Sequence, residues 1–477
     1  MKIHCNYIDG EWISATSGVA NINPSNTDET VGWFAHGDAR LAQDAVSAAG
    51  HARAAWAATG PLQRARLLEA VAAGIAARAA EFANTLSREE GKTLPEAQGE
   101  TQRAEDIFRY YAGEVLRQAG ELHDSIRPGV TVEVTREPIG VALLITPWNL
   151  PLAIPAWKTA AALAFGNCVI LKPSEVAPAC AWLLADVIHA AGFPPGVFNL
   201  VMGTGAELGP ALLDNTIVSG VSFTGSVPTG RRIADASIAT YKKLQLEMGG
   251  KNALVVLDDA ELNIAVECAL DGAFFATGQR CTASSRLVVT RGIYDRFVEE
   301  MLRRMSQVRI GHALNPETQI GPVVSQDQLE RDLGYIALAK QEGGDLTGGE
   351  LLERPHPGHY LSPCLVTGLR NDARVCREEI FGPVACVIKV SDYEEALAIA
   401  NDTQFGLSSG ICTTSLKHAS HFRRHSQAGL AMVNMSTSGV DFHVPFGGRK
   451  ASSHGSREQG RHAVEFFTAM KTSYIRA

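Results

Sequence analysis

VALLITPWNLPLAIPAWKTAAALAFGNCVILKPSE, residues 141–175, reads as a strand, a tight turn, a helix and a second strand. The runs VALLIT and CVILKP are short and unbroken, the pattern of strands covered on both faces. Between them, the Ala-rich segment near 153–165 has helical spacing. The alternation continues downstream, with helices predicted at 177–191, 205–214 and 227–239. FNLVMG and VSFTG supply the strands between them, and LQLEMGGKNALVVL closes the series. Strand–helix repetition of this kind implies an α/β fold with a mostly parallel sheet wrapped on both faces. Such sheets take ligands at the carboxyl ends of their strands.

Working outward, a second alternating region runs from about 262 to 445, with SRLVVT, ACVIKV, SSGICTT and LAMVNM as strands. Residues 38–119 are helical in pattern and punctuated by Gly91 and Pro95. Around 130–141 the chain alternates like an exposed hairpin strand, and the tail could pair as an edge strand. The N-terminus reads as a strand with an Asp9-Gly10 turn rather than a leader peptide.

At 477 residues the chain exceeds a single compact core, so two or three domains are expected. Hydrophobic residues at 45% and charged residues at 20% fit an ordinary soluble composition. A formal net charge of -8 with no basic block argues against nucleic acid or an anionic membrane as partner. No run approaches the roughly 20 apolar residues of a membrane span. A soluble, cytoplasmic protein is the expectation. The nine cysteines are odd in number and no two have CxxC spacing. That argues against a disulfide framework or a structural metal site, and most should be inert core thiols.

Six short segments could carry chemistry. In ITPWNLP the prolines and tryptophan stiffen a strand end, so Asn149 can donate to an oxyanion or simply cap a turn. LKPSE offers Lys172 and a carboxylate, Glu175, that could bridge a ribose diol or form a solvated pair. FTGSVPTG places Gly225 and Gly230 between a strand and a helix, where amides could face a pyrophosphate or merely form a turn. LEMGGK sets Glu247 at a strand end among apolar neighbours, as a general base or as a solvent-facing glutamate. GQRC presents Cys281 after a Gly-Gln break, where Arg280 and a nearby helix start could lower its pKa; the alternative is a structural thiol. EEIFGP supplies Glu379 and Phe381, a carboxylate and an aromatic for a second ribose and a flat ring.

In this order PWN, KPSE, FTGS, LEMGGK, GQRC and EEIFGP resemble the aldehyde dehydrogenase superfamily over essentially the whole chain. The resemblance implies three parts. A Rossmann-like NAD(P) domain would take 1–120 and 142–249, and an α/β catalytic domain 250–446. A small β oligomerisation domain, serving a homodimer or homotetramer, would take 121–141 and 447–477.

By the same resemblance Cys281 is the nucleophile, Glu247 the general base, and Asn149 with the Cys281 N–H the oxyanion hole. Ile145, Thr146, Pro147, Trp148, Lys172, Ser174, Glu175 and Gly205 become cofactor contacts. So do Phe223, Thr224, Gly225, Ser226, Gly230, Gly249, Glu379 and Phe381. NAD is the implied cofactor, with NADP possible, and Val227 replaces the small hydroxyl residue usual after Gly-Ser. The implied reaction oxidises a small-molecule aldehyde to a carboxylate through a thiohemiacetal and a thioester. Glu247 separates this reading from a CoA-acylating relative, and the joint presence of Cys281, Glu247 and Asn149 from a non-catalytic NAD-binding one.

GQRCTASSR, 154–158 and 440–445 most resemble the branch acting on α-ketoglutaric semialdehyde, with succinic semialdehyde dehydrogenases as neighbours. Many of those neighbours carry Arg where this chain has Trp157. Arg280, Trp157, Thr282 and His443 are therefore the expected substrate contacts, with Arg280 either holding a distal carboxylate or only supporting the thiol.

Overall fold

The computed structural model describes residues 2–117 and 120–476. Its first sheet has eight strands, ordered Ser453–His454, Lys243–Glu247, Val218–Thr224, Val141–Ile145, Cys168–Lys172, Phe198–Leu200, Asn6–Ile8 and Glu11–Ile13. The five strands from Lys243–Glu247 to Phe198–Leu200 run parallel. Val141 to Leu144 and Cys168 to Leu171 are fully buried, which is why those runs lack polar alternation. From Val141–Ile145 the chain builds outward on one side through 168–172 and 198–200. It then returns to the other side at Val218–Thr224. The switch point thus lies between Val141–Ile145 and Val218–Thr224, and the loops 146–149 and 224–226 open there.

The helices follow their sequence signals. Leu94–Glu114 begins with a capping box, in which Thr93 and Glu96 satisfy each other's backbone N–H groups. Pro95 sits in its first turn, where no N–H is needed. The helix Ala153–Ala164 is buried along its whole length, between the sheet and Leu94–Glu114. Its alanines allow that close approach.

The second sheet has seven strands, with Ala253–Val256, Arg286–Thr290, Val384–Val390 and Ser408–Cys412 parallel at its centre. A third sheet pairs Thr468–Arg476 with Val130–Pro138, which also pairs with Glu121–Asp124. Ser453–His454 joins the first sheet instead, opposite Leu246 and Glu247, and Phe466 and Phe467 pack into that sheet's core. One element had no sequence signal. Gly18–Asn23 and Asn26–Ala35 form a small sheet with Ile3–His4, and their mixed, half-exposed faces hide the strand period.

Arg286 ties the second sheet to its covering elements. This buried guanidinium donates to the Lys251 carbonyl at 3.0 Å, Asn371 Oδ1 at 3.0 Å, the Ile399 carbonyl at 2.9 Å and the Ala400 carbonyl at 3.0 Å. Arg286→Met should lower unfolding stability by about 3 kcal/mol, because several buried acceptors lose their donor together. Arg286→Lys should recover little of it, since one ammonium cannot reproduce the planar fork. Urea unfolding of the two variants measures this, and a change under about 0.5 kcal/mol for Arg286→Met would contradict it.

Candidate active site

The carboxyl ends of the first sheet's parallel strands and the amino ends of the second sheet's central strands face a cavity of about 410 Å³, walled by the loops 147–150, 224–226, 247–249 and 276–282 and by Glu379 and Phe381. Cys281 reaches it through a strained turn. After the helix Leu262–Phe274, Ala276 and Thr277 adopt φ of 51° and 55°, and Gly278 follows at 66°. A Cβ on Gly278 would lie 2.2 Å from the Gly382 carbonyl oxygen, so only glycine fits. Anchors to distant segments hold the turn. The Ala276 N–H donates to Glu96 Oε1 at 2.8 Å, and Gln279 Oε1 accepts from the Val324 N–H at 2.9 Å.

Burial pushes the Cys281 thiol up to about 12, and the Glu379 and Glu247 carboxylates act in the same direction. The backbone N–H groups of Cys281 and Thr282 oppose this without reversing it. Two expectations are corrected here. No helix begins at Cys281. Arg280 does not hold the thiol's pKa down: its Nη2 donates to the Asp271 carbonyl and lies 3.8 Å from that residue's carboxylate. Burial wins over any cationic support.

Asn149 is positioned from behind. Lys92 Nζ donates to the Asn149 carbonyl at 2.9 Å and to Glu100 Oε2 at 2.5 Å. Glu100 Oε1 accepts the N–H groups of Leu152 at 3.0 Å and Ala153 at 2.9 Å, closing the start of the helix Ala153–Ala164. Burial works against charge on Lys92, yet Glu100 and Glu90 outweigh it and hold its pKa above the ordinary value. The Asn149 amide donates one N–H to the Gln279 carbonyl at 3.0 Å. Its second N–H has no bond to another described residue.

Glu247 ends its strand inside the protein, and its Oε2 accepts from Ser453 Oγ at 2.5 Å. Its Oε1 is buried without a partner. Burial, then the neighbouring Glu458 carboxylate, holds the Glu247 carboxyl well above the usual range, against the Ser453 hydrogen bond and Lys158. Lys158 Nζ pairs with Glu458 Oε1 and donates to Ser222 Oγ at 2.7 Å. Trp157 Nε1 donates to Glu458 Oε2 at 2.8 Å. Trp157, Thr282 and Arg280 line the cavity, whereas His443 lies exposed outside it.

The expected cofactor residues divide in two. Pro147, Trp148, Thr224, Gly225, Ser226 and Gly249 line the cavity together with Glu379 and Phe381. Ile145, Thr146 and Phe223 sit behind them at strand ends, Gly205 opens the helix Gly205–Leu213, and Gly230 packs against Met248. Lys172, Ser174 and Glu175 follow the strand Cys168–Lys172, with Lys172 Nζ 3.2 Å from Glu175 Oε2. Ser226 precedes the helix Val227–Ile238 but donates to Thr229 Oγ1 at 3.0 Å, leaving the first turn without a side-chain cap. The Oγ1 atoms of Thr146 and Thr224 are buried and unpartnered. Glu379 accepts from the Gly250 N–H at 2.9 Å, and burial raises its carboxyl to about 6. A Cβ on Gly249 would lie 1.9 Å from Glu379 Oε2, so that glycine admits the carboxylate. Phe381 meets Trp148 edge-on at 5.3 Å.

Sequence reading missed Lys92, Glu100, Arg103, Glu458 and Gln459. Each is a polar residue in a helix, an interhelical turn or the C-terminal loop, and its role depends on partners far away in the chain. The capping box in TLPEAQGE was the one local signal that its segment starts a fixed helix.

A thiol held this high stays protonated at neutral pH. Alkylation of Cys281 by iodoacetamide should therefore accelerate about tenfold per unit between pH 7 and 10, as the thiolate fraction grows. Mass spectrometry of the peptide carrying Cys281 gives the rate. A plateau reached by about pH 8 would contradict the burial argument.

The sequence profile of the Aldehyde dehydrogenase family matches residues 12–473. The chain is 44% identical to alpha-ketoglutaric semialdehyde dehydrogenase of Bacillus subtilis (strain 168), over 99% of this chain and 98% of that protein. It is 40% identical to alpha-ketoglutarate semialdehyde dehydrogenase of Haloferax volcanii, over 98% of each. Among solved structures, betaine aldehyde dehydrogenase from Staphylococcus aureus in complex with NAD+ superposes with a TM-score of 0.97 at 31% identity, covering 99% of this chain and 95% of that one. With the family pattern spanning nearly all of the sequence and relatives of this identity matched end to end, the chain belongs to the aldehyde dehydrogenase family.

Proposed function

We propose that this protein oxidises a short semialdehyde bearing a distal carboxylate, α-ketoglutaric semialdehyde by analogy with its relatives, to the corresponding acid with NAD. The observation that carries the reading is the meeting of Cys281, Asn149 and Glu247 in one buried cavity. A nucleophile, an oxyanion donor and a proton acceptor are the set that acyl chemistry on an aldehyde requires.

The cleft at the switch point fits a dinucleotide. The uncapped first turn of Val227–Ile238 offers backbone donors for a pyrophosphate, and Thr146 and Thr224 bring unpartnered hydroxyls to the same strand ends. Glu175 would take one ribose diol and repel a 2′-phosphate, favouring NAD over NADP. Glu379 would take the other diol, and Phe381 with Trp148 the flat ring. The NAD+ complex of the Staphylococcus aureus relative supports this assignment. When bound, NAD supplies the two-electron acceptor that converts the thiohemiacetal carbon on Cys281 to a thioester.

The protein's own residues do the rest. Cys281 Sγ attacks the carbonyl carbon and its proton passes to solvent as the C–S bond forms, because the free thiol holds it tightly. The remaining Asn149 N–H and the Cys281 backbone N–H receive the negative oxygen. Their positions are fixed beforehand, so no reorganisation accompanies the charge. Glu247 must itself be deprotonated before it can take a proton from water. Its raised pKa makes it a strong base once charged, and hydrolysis of the thioester should accelerate as pH rises. Water adds to the acyl carbon, the C–S bond breaks, and Cys281 leaves as the thiol.

The remaining assignments follow the same reading. The 1–120 and 142–249 segments hold the cofactor, 250–446 the nucleophile, and the third sheet, Glu121–Asp124, Val130–Pro138 and Thr468–Arg476, the oligomer contact. Exposed Leu122, Met470 and Tyr474 on the third sheet suit a homodimer or homotetramer, in the cytoplasm where thiols stay reduced.

NADH formation should vanish in Cys281→Ala and fall about 10²- to 10³-fold in kcat in Asn149→Ala, with a smaller change in KM. The wild type should favour α-ketoglutaric semialdehyde over an uncharged aldehyde of equal length by at least about tenfold in kcat/KM. Retained turnover in Cys281→Ala would overturn the mechanism. Equal use of the two aldehydes would overturn the substrate.

A further inference from the structure

Four cations line the cavity, and they are not equivalent. Lys92 is neutralised by Glu100, and Arg280 faces Asp271. Arg331 donates to the Glu379 carbonyl at the cofactor mouth. Arg103, on the helix Leu94–Glu114, has no carboxylate within ion-pair distance among the described residues.

Its guanidinium is held only by neutral acceptors. Nη1 donates to the Val440 carbonyl and Nη2 to Gln459 Oε1 at 2.9 Å, while the group lies 5.7 Å from the Trp157 ring. Two of its five N–H groups are thereby used, and Nε is buried without a partner. Burial lowers the Arg103 pKa, with Glu100, Asp441 and Cys281 opposing, so the cation is desolvated and incompletely compensated. Glu100 is already committed to Lys92 and two backbone N–H groups, and Asp441 is exposed.

Gln459 adds a second orphan beside it. Arg103 can only donate, so the amide must turn Oε1 toward it and Nε2 away. That Nε2 is buried and unpartnered. Gln459 also has φ 60° and ψ 170°, a backbone region that suits glycine, so the fold holds this side chain in place at the cost of strain. Two adjacent residues on one cavity wall thus present surplus donors and no anion.

We propose that Arg103 and Gln459 form the far end of the substrate site and recognise a 2-oxocarboxylate. The Arg103 fork takes the carboxylate, and the Gln459 amide N–H takes the neighbouring carbonyl oxygen. This inference rests on the semialdehyde reading above and assigns to Arg103 the anion role first considered for Arg280. Trp157, pinned by Glu458, supports the guanidinium through its ring face.

The test compares kcat/KM for three five-carbon aldehydes: 2,5-dioxopentanoate, 5-oxopentanoate and pentanal. In Arg103→Met the preference of either carboxylate over pentanal should fall about 100-fold, chiefly through KM, and Arg103→Lys should restore part of it. In Gln459→Leu the preference for 2,5-dioxopentanoate over 5-oxopentanoate should fall about tenfold. Thermal unfolding identifies any variant that has lost its fold, in which case Arg103→Lys must still show an intermediate preference. If the wild type prefers the carboxylates and Arg103→Met and Arg103→Lys keep that preference, the Arg103 assignment is wrong while the semialdehyde reading stands. An unchanged 2-oxo preference in Gln459→Leu overturns the role of Gln459. If the wild type shows no preference for carboxylates, the semialdehyde reading itself fails.

Discussion

The ion pair between Lys92 and Glu100 is the contact on which the site depends most heavily. Glu100 accepts from Lys92 and from the N–H groups of Leu152 and Ala153, and Lys92 also holds the Asn149 carbonyl. One buried node therefore fixes the loop after the strand Val141–Ile145, the start of the helix Ala153–Ala164 and the backbone of Asn149. Buried pairs contribute little net stability when replaced whole, but removing one partner leaves an uncompensated charge. The gain here is preorganisation: Asn149 stands in place before any negative charge develops.

The same low-dielectric surroundings set the proton chemistry. Cys281 and Glu247 are both pushed toward their neutral forms by burial, so the resting site holds protons where the reaction needs them removed. In the proposed mechanism Cys281 becomes nucleophilic as the aldehyde meets its oxyanion donors, and Glu247 acts after losing its own proton. The Lys158–Glu458 pair and Ser453 surround Glu247 with opposing influences, which places its titration under the control of two distant chain segments.

The fold was legible wherever burial was two-sided. VALLI and CVILK are apolar at nearly every position because helices cover both faces of their sheet, and their strands lie within a residue of the expected limits. Gly18–Asn23 and Asn26–Ala35 were illegible because their faces are mixed. Asn149, Lys172, Gly225 and Glu247 were legible because each lies at or just past the carboxyl end of a strand, and parallel topology brings such ends to one side. Arg280 shows the limit. Its neighbour in sequence is Cys281, yet its guanidinium turns back to Asp271 on the preceding helix. Arg103 and Gln459 show the converse, since 356 residues separate two side chains that bond at 2.9 Å.

The central claim is that Cys281 carries the acyl group and Glu247 releases it. Glu247→Gln, mixed with NAD and α-ketoglutaric semialdehyde and quenched in acid, should accumulate a thioester on the Cys281 peptide that intact-peptide mass spectrometry detects. One NADH per site should form in a rapid phase, followed by turnover slowed at least about 100-fold. Steady turnover at the wild-type rate, or an adduct on any other residue, would contradict the account.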